Sequence, residues 1–229
     1  MSVGAGAAVR LTDGRLRFVK VWPGTVDRWE LAAQLRVQAA LSQRGYPAPG
    51  VLAGPLLLGP GVAVLMEFDQ RGVATDMRIP GVRDAMARAL ARLVRDAQGF
   101  VALPDLPVRQ FPEAIWPKPH NVLFDFPATA TGAEWLDTMA QQALAEMRTS
   151  RAPYVVGHLD WSAKNMRMGD GEIAVVYDWD AVFVDRETFI VGSAAAHFPV
   201  TWELPVPARG RGRQKGRQVA HARSLQRRH

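Results

Sequence analysis

A Gly169-Asp170-Gly171 turn between two apolar runs, Met166 to Met168 and Ile173 to Tyr177, restricts this chain more than any other feature. Glycines beside an aspartate supply the backbone angles that a tight turn requires, and residues of strand composition stand on both sides, so the segment predicts a β-hairpin. A hairpin fixes which residues face each other. Counting back from the turn puts Asn165 roughly opposite Val176, which makes Asn165 and Asp178 near-diagonal neighbours about 7 Å apart at the Cα level.

Two oxygen-bearing side chains at that separation can share one hard cation. Mg²⁺ is the natural candidate, because it takes oxygen ligands and is usually held by one or two carboxylates plus substrate phosphates. Asp160 precedes Asn165 by five residues and follows the short strand expected at Tyr154 to Val156. There it would sit beside the metal and accept a proton from an attacking hydroxyl. The competing reading makes Asp160, Asn165 and Asp178 three unrelated loop polars, since Asp and Asn are common beside turns. His158, taken alone, is a packing residue. Asp180 and Asp185 could extend the metal site, although solvation at the surface is the plainer expectation for both.

The rest of the chain divides by periodicity. Ala8 to Leu11 and Leu16 to Trp22 flank the turn Thr12-Asp13-Gly14 and predict a first hairpin. Leu31, Leu35, Ala39 and Leu41 recur at helical spacing within Val26 to Arg44, and the Gly45 to Pro49 turn closes that helix. Val51 to Leu58 and Val62 to Phe68 read as two strands around Gly-Pro-Gly. After Pro80-Gly81 the chain turns helical, with Met86, Leu90, Leu93, Val94 and Ala97 on one face. Residues Ala102 to Pro119 predict an ordered loop, and Trp116 within it and His120 just after it read as packing residues. Thr131 with Glu134 forms a capping box for a further helix, with Leu136, Ala140, Ala143 and Met147 as its buried stripe.

The spacing His-x-Asp-x-x-x-x-Asn, with a hairpin-borne Asp 13 residues after the Asn, is that of a kinase catalytic loop and metal-binding Asp. On these residues, and on Asp178-Trp179, the chain resembles the aminoglycoside phosphotransferase family of protein-kinase-like small-molecule phosphotransferases. The resemblance implies an α+β, two-lobe fold with a β-rich lobe over residues 1–68 and a mainly helical lobe over 69–203, while the composition of 204–229 predicts a basic, disordered tail. It implies Asp160 as catalytic base, Asn165 and Asp178 as Mg²⁺ ligands, and His158 as a brace of the loop. Lys20, in Phe18-Val19-Lys20-Val21, matches the lysine that reaches the nucleotide phosphates. Glu67, Phe68 and Asp69 match the segment whose backbone binds the base of ATP or GTP. The acidic partner of Lys20 is open between Glu30 and Gln34. The family's glycine turn is represented only by Gly4-Ala5-Gly6; the strand before it and the helices that usually complete the large lobe are expected to be missing.

Charge separates the tail from the body. The formal net charge is +6, yet eight of the 28 basic residues and none of the 22 acidic ones fall within Leu204 to His229. Electrostatic attraction of that tail to nucleic acid would be non-specific, because no aromatic is interleaved with its arginines. With no cysteine, disulfides and thiolate metal sites are excluded. The longest uncharged stretch, Val51 to Met66, is broken by Gly and Pro and falls short of the ~20 apolar residues that span a bilayer. The expectation is a soluble cytoplasmic protein that takes a nucleotide and a small-molecule acceptor. Two alternatives stay open beside the enzyme: a catalytically degenerate nucleotide-binding relative, and a metal-dependent phosphoesterase using His158 and Asp160.

Overall fold

A computed structural model of the chain describes residues 4–76, 78–110, 115–116, 125–126 and 130–199. The expectations for His120 and for the basic tail lie outside the described residues.

The first hairpin is longer than its apolar pattern suggested, running from β1 (Ala5–Arg10) to β2 (Leu16–Pro23). Gly6 therefore lies within a strand, opposite Lys20, and is not a loop residue. Packing explains why a glycine stands there, since a Cβ at Gly6 would come 2.4 Å from the Phe18 ring. Strands β3 (Val51–Leu58) and β4 (Gly61–Glu67) complete an antiparallel sheet in the order β1-β2-β4-β3. Helix α1 (Arg28–Gln43) starts two residues later than its periodicity, because Asp27 caps it by accepting the backbone N–H groups of Trp29 and Glu30 at 2.8 and 3.3 Å.

Two apolar clusters divide the interior. Trp22, Leu31, Leu35, Val62, Val64 and Met66 form the smaller one, between α1 and the sheet. The second half of α1, through Val37 and Leu41, belongs instead to the larger cluster below it. One helix therefore ties both parts together, and a boundary at residue 68 crosses its packing.

The larger part is built on α2 (Pro80–Asp96), whose Met86, Leu90 and Leu93 are buried as the periodicity requires. It packs against β5 (Tyr154–His158) and β7 (Glu172–Val176), and β7 pairs with β6 (Met166–Gly169) in the expected hairpin. Strand β8 (Val182–Arg186), which the sequence reading did not contain, pairs antiparallel with β5 and leads into α4 (Glu187–His197). Helix α3 (Glu134–Thr149) differs from expectation at its start and along its face. Glu134 accepts the Gly132 backbone N–H at 2.9 Å and no side chain caps the helix, so the box with Thr131 does not form. None of its residues is buried, including Leu136, Ala140, Ala143 and Met147. Trp116 is partly exposed, and its indole N–H donates to Asp137 at 2.6 Å.

Candidate active site

The β6–β7 hairpin sets the site's geometry, with one correction to the register. Met166 pairs with Val176 and Met168 with Ile173, with an irregularity between Arg167 and Met168. Asn165 thus faces Tyr177, whose backbone N–H donates to the Asn165 carbonyl at 2.8 Å, and Asp178 follows directly. Asp178 holds φ 64° and ψ 45°. This left-handed conformation, uncommon outside glycine but tolerated by Asp, turns the chain out of β7 into a helical turn at Trp179–Ala181. Trp179 locks that turn: its ring is buried and its N–H donates to the Val176 carbonyl at 2.8 Å.

Asp160 is held from three directions. Ser162 Oγ donates to Oδ1 at 2.8 Å, Lys164 Nζ lies 2.6 Å from Oδ2, and the Asn165 amide donates to the Asp160 backbone carbonyl at 2.9 Å. Burial works to raise the Asp160 carboxyl, and the hydrogen bonds and charge from Lys164 with the Ser162 hydroxyl overcome it, so the group sits below the ordinary carboxylate value. His158 lies beneath the loop, fully buried, with Nε2 3.1 Å from the Tyr177 carbonyl and its ring edge-on to Trp161 and Trp179. Burial pushes its pKa down, which keeps the imidazole neutral and makes Nε2 a donor to that carbonyl.

Lys20 reaches across from β2. Its ammonium contacts the Asp178 carboxylate, lies 2.5 Å from Asp180 Oδ1, and sits 5.1 Å from the centre of the Trp22 ring. Neither Glu30 nor Gln34 is its partner. Glu30 is exposed near the start of α1, and the Gln34 amide donates to the carbonyls of Asp180 and Val182 at 2.9 and 3.0 Å. In the segment between the two parts, the Glu67 backbone N–H donates to Gly50 and the Asp69 carbonyl accepts the Tyr177 hydroxyl at 2.7 Å. The Asp69 side chain is paired with Arg71.

These groups surround a cavity of about 410 Å³. Phe18, Leu31, Leu35 and Met66 give it apolar walls, Glu67, Phe68 and Asp69 also line it, and Lys20, Asn165, Asp178 and Asp180 are among its polar groups. A second cavity of about 310 Å³ adjoins it, sharing Asp178 and Asp180 and reached by Asp160, Glu30 and Gln34. The predicted residues therefore fall into two neighbouring chambers. Lys20, Asn165, Asp178 and the Glu67–Asp69 segment line the first, and Asp160 opens onto the second.

The donor set fits a hard divalent cation. With its amide N–H committed to Asp160, Asn165 offers its carbonyl oxygen, and Asp178 offers a carboxylate beside it. Among the described residues no three His, Asp or Glu side chains form an all-protein metal cage. A cation here would draw its remaining ligands from phosphate and water, as Mg²⁺ commonly does.

Sequence reasoning missed Asp180, Lys164 and Ser162. Asp180 was expected to be solvated, yet its side chain is only 16% exposed, with Trp22 Nε1 donating to Oδ2 at 2.9 Å. Asp185 is also buried, against Arg109 at 3.4 Å, and burial raises its carboxyl. The available signal for Lys164 was its spacing of four residues from Asp160.

Comparison with known proteins adds three findings. The profile of the phosphotransferase enzyme family matches residues 3–223. No curated protein sequence matches the chain. Among solved structures, the fold is similar to amicoumacin kinase hAmiN in complex with AMP-PNP, Ca²⁺ and Ami, with 14% identity and a TM-score of 0.65 over 86% of this chain and 62% of that one. It is also similar to a thermostable mutant of aminoglycoside phosphotransferase APH(4)-Ia in ternary complex with AMP-PNP and hygromycin B, with 17% identity and a TM-score of 0.55 over 83% of this chain and 67% of that one. The architecture is thus the protein-kinase-like one, with an antiparallel sheet at its N-terminal side. No described helix is long and apolar enough to cross a membrane.

Proposed function

The chain belongs to the phosphotransferase enzyme family, and on that premise we propose that it moves the γ-phosphoryl group of ATP or GTP to a hydroxyl of a small molecule, an aminoglycoside-like antibiotic or a metabolite. One observation carries this reading: Lys20 from β2 and Asn165 and Asp178 from either side of the β6–β7 hairpin converge on one cavity, and Asp160 lines the next.

In this reading the apolar walls of the larger cavity receive the base, whose edge meets the backbone of Glu67 to Asp69. Lys20 reaches the phosphates. Asn165 and Asp178 would hold Mg²⁺, which when bound would supply charge neutralisation at the phosphates. The acceptor hydroxyl enters from the smaller cavity. Asp160 takes its proton as the oxygen forms a bond to the γ-phosphorus, and the bond from that phosphorus to the bridging oxygen breaks, releasing the nucleoside diphosphate. Lys164 and Ser162 keep Asp160 ionised and aimed, and His158 braces the loop from below. Residues 1–68 supply the nucleotide lobe and residues 69–203 the catalytic loop and metal site.

The test is transfer from radiolabelled ATP and GTP to a panel of hydroxyl-bearing acceptors, with Asp160→Ala beside the wild type. The variant should lose transfer by ~10²–10⁴-fold and keep its nucleotide affinity. Normal turnover by the variant would remove Asp160 from the chemistry.

A second reading is a catalytically degenerate nucleotide binder, favoured by the contact of the Lys20 ammonium with the Asp178 carboxylate, which engages the proposed cation ligand. Such a protein would be stabilised by Mg·AMP-PNP yet transfer phosphate to no acceptor.

A further inference from the structure

We propose that Asp180 is the positioning carboxylate of Lys20, a role that helix α1 leaves unfilled in this chain. The inference rests on the nucleotide reading above for its purpose and on geometry for its substance.

A lysine that must meet phosphates needs a fixed anion to hold its flexible stem in place. On α1 the two candidates are ruled out for different reasons. Glu30 is exposed, and Gln34 carries no charge and has turned its amide N–H groups to the carbonyls of Asp180 and Val182. Asp178 does touch Lys20, but in the proposed reaction that carboxylate is a cation ligand, so the lysine and the metal would draw on the same oxygens.

Asp180 is not one of the cation ligands proposed above. Its Oδ1 meets Lys20 at 2.5 Å, and its Oδ2 accepts the Trp22 N–H at 2.9 Å. Trp22 stands two residues along β2 from Lys20 and places its ring beneath the same ammonium. The Asp180 backbone carbonyl accepts from Gln34. One residue of the Trp179–Ala181 turn thus engages β2 through both carboxylate oxygens and α1 through its main chain. The arrangement puts the acid that holds Lys20 on the turn after Asp178, with Gln34 fastening helix α1 to that turn.

Two measurements test this on the full chain. The first is a double-mutant cycle of Lys20→Met and Asp180→Asn by urea unfolding of the ligand-free protein. Each single change should destabilise, and the pair should cost clearly less than their sum, whereas Lys20→Met with Glu30→Gln should be additive. The second is AMP-PNP affinity by calorimetry, with Mg²⁺ and with chelator. Asp180→Asn should weaken binding about tenfold in both conditions and add nothing in the Lys20→Met background. Asp180→Glu, which keeps the charge, should restore most of the loss. Additivity of Lys20→Met with Asp180→Asn in the ligand-free cycle overturns the proposal, as does a loss confined to Mg²⁺, which would make Asp180 a metal ligand. A coupled cycle in a protein that binds no AMP-PNP would uphold the Lys20–Asp180 partnership and overturn the nucleotide reading instead.

Discussion

Lys164 Nζ lies 2.6 Å from Asp160 Oδ2, so the proposed base and a cation four residues along share one loop. The pair has a direct consequence for pH dependence. Asp160 takes a proton only when ionised. Burial opposes its ionisation, and Lys164 is the largest influence in its favour. The acidic limb of kcat/KM in the wild type should therefore lie below the ordinary carboxylate value. Lys164→Met should move that limb to higher pH, and Ser162→Ala should move it less. Rate profiles against pH, on any acceptor that supports turnover, check both; an unmoved limb in Lys164→Met would separate the lysine from the base.

His158 predicts a different pH effect, on stability. The buried ring is neutral, with its pKa pushed below the ordinary 6.5, and its Nδ1 has no hydrogen-bond partner among the described residues. The unfolded chain binds a proton near pH 6.5 and the folded chain only at lower pH, so stability should fall as pH drops below 6.5, by at most about 1.4 kcal/mol per pH unit. Asp160 and Asp180, whose folded pKa values are depressed, add a loss only once pH falls below their ordinary 3.8. Thermal melts of the wild type and His158→Asn between pH 7.5 and 5 separate the two. The variant should lose the upper part of the slope.

Gly157 tests the packing of α4 on β5. A Cβ there would lie 2.3 Å from Ile190 Cδ1, and Ile190 is buried. Gly157→Ala should destabilise by ~1–3 kcal/mol through overpacking. Combined with Ile190→Ala it should cost less than the two changes summed, because the obstructing side chain is gone. Urea unfolding of the three variants gives the answer.

Local signals carried much of this architecture and distant ones did not. The Gly169-Asp170-Gly171 turn announced the β6–β7 hairpin, yet the register moved by one residue at Asn165 because the ladder is irregular beside Arg167, which no turn residue reveals. Strand β8 was readable in the apolar run Val182-Phe183-Val184, and its burial takes Asp185 inside with it. Asp180 reads as a surface residue from its neighbours along the chain. Its burial is decided by Lys20 and Trp22, some 160 residues away in sequence. Helix α3 shows the converse: periodicity announced an apolar face, and only tertiary structure says what meets it.

The most direct test of the central claim is a thermal-shift titration with Mg·AMP-PNP on the wild type and Asp178→Ala. Ligand at 100 times its Kd should stabilise the wild type by about 2.7 kcal/mol, and the variant, having lost a carboxylate that lines the cavity beside Asn165, should gain little. Equal stabilisation of both proteins, or none in the wild type, would contradict a nucleotide site built on Asp178.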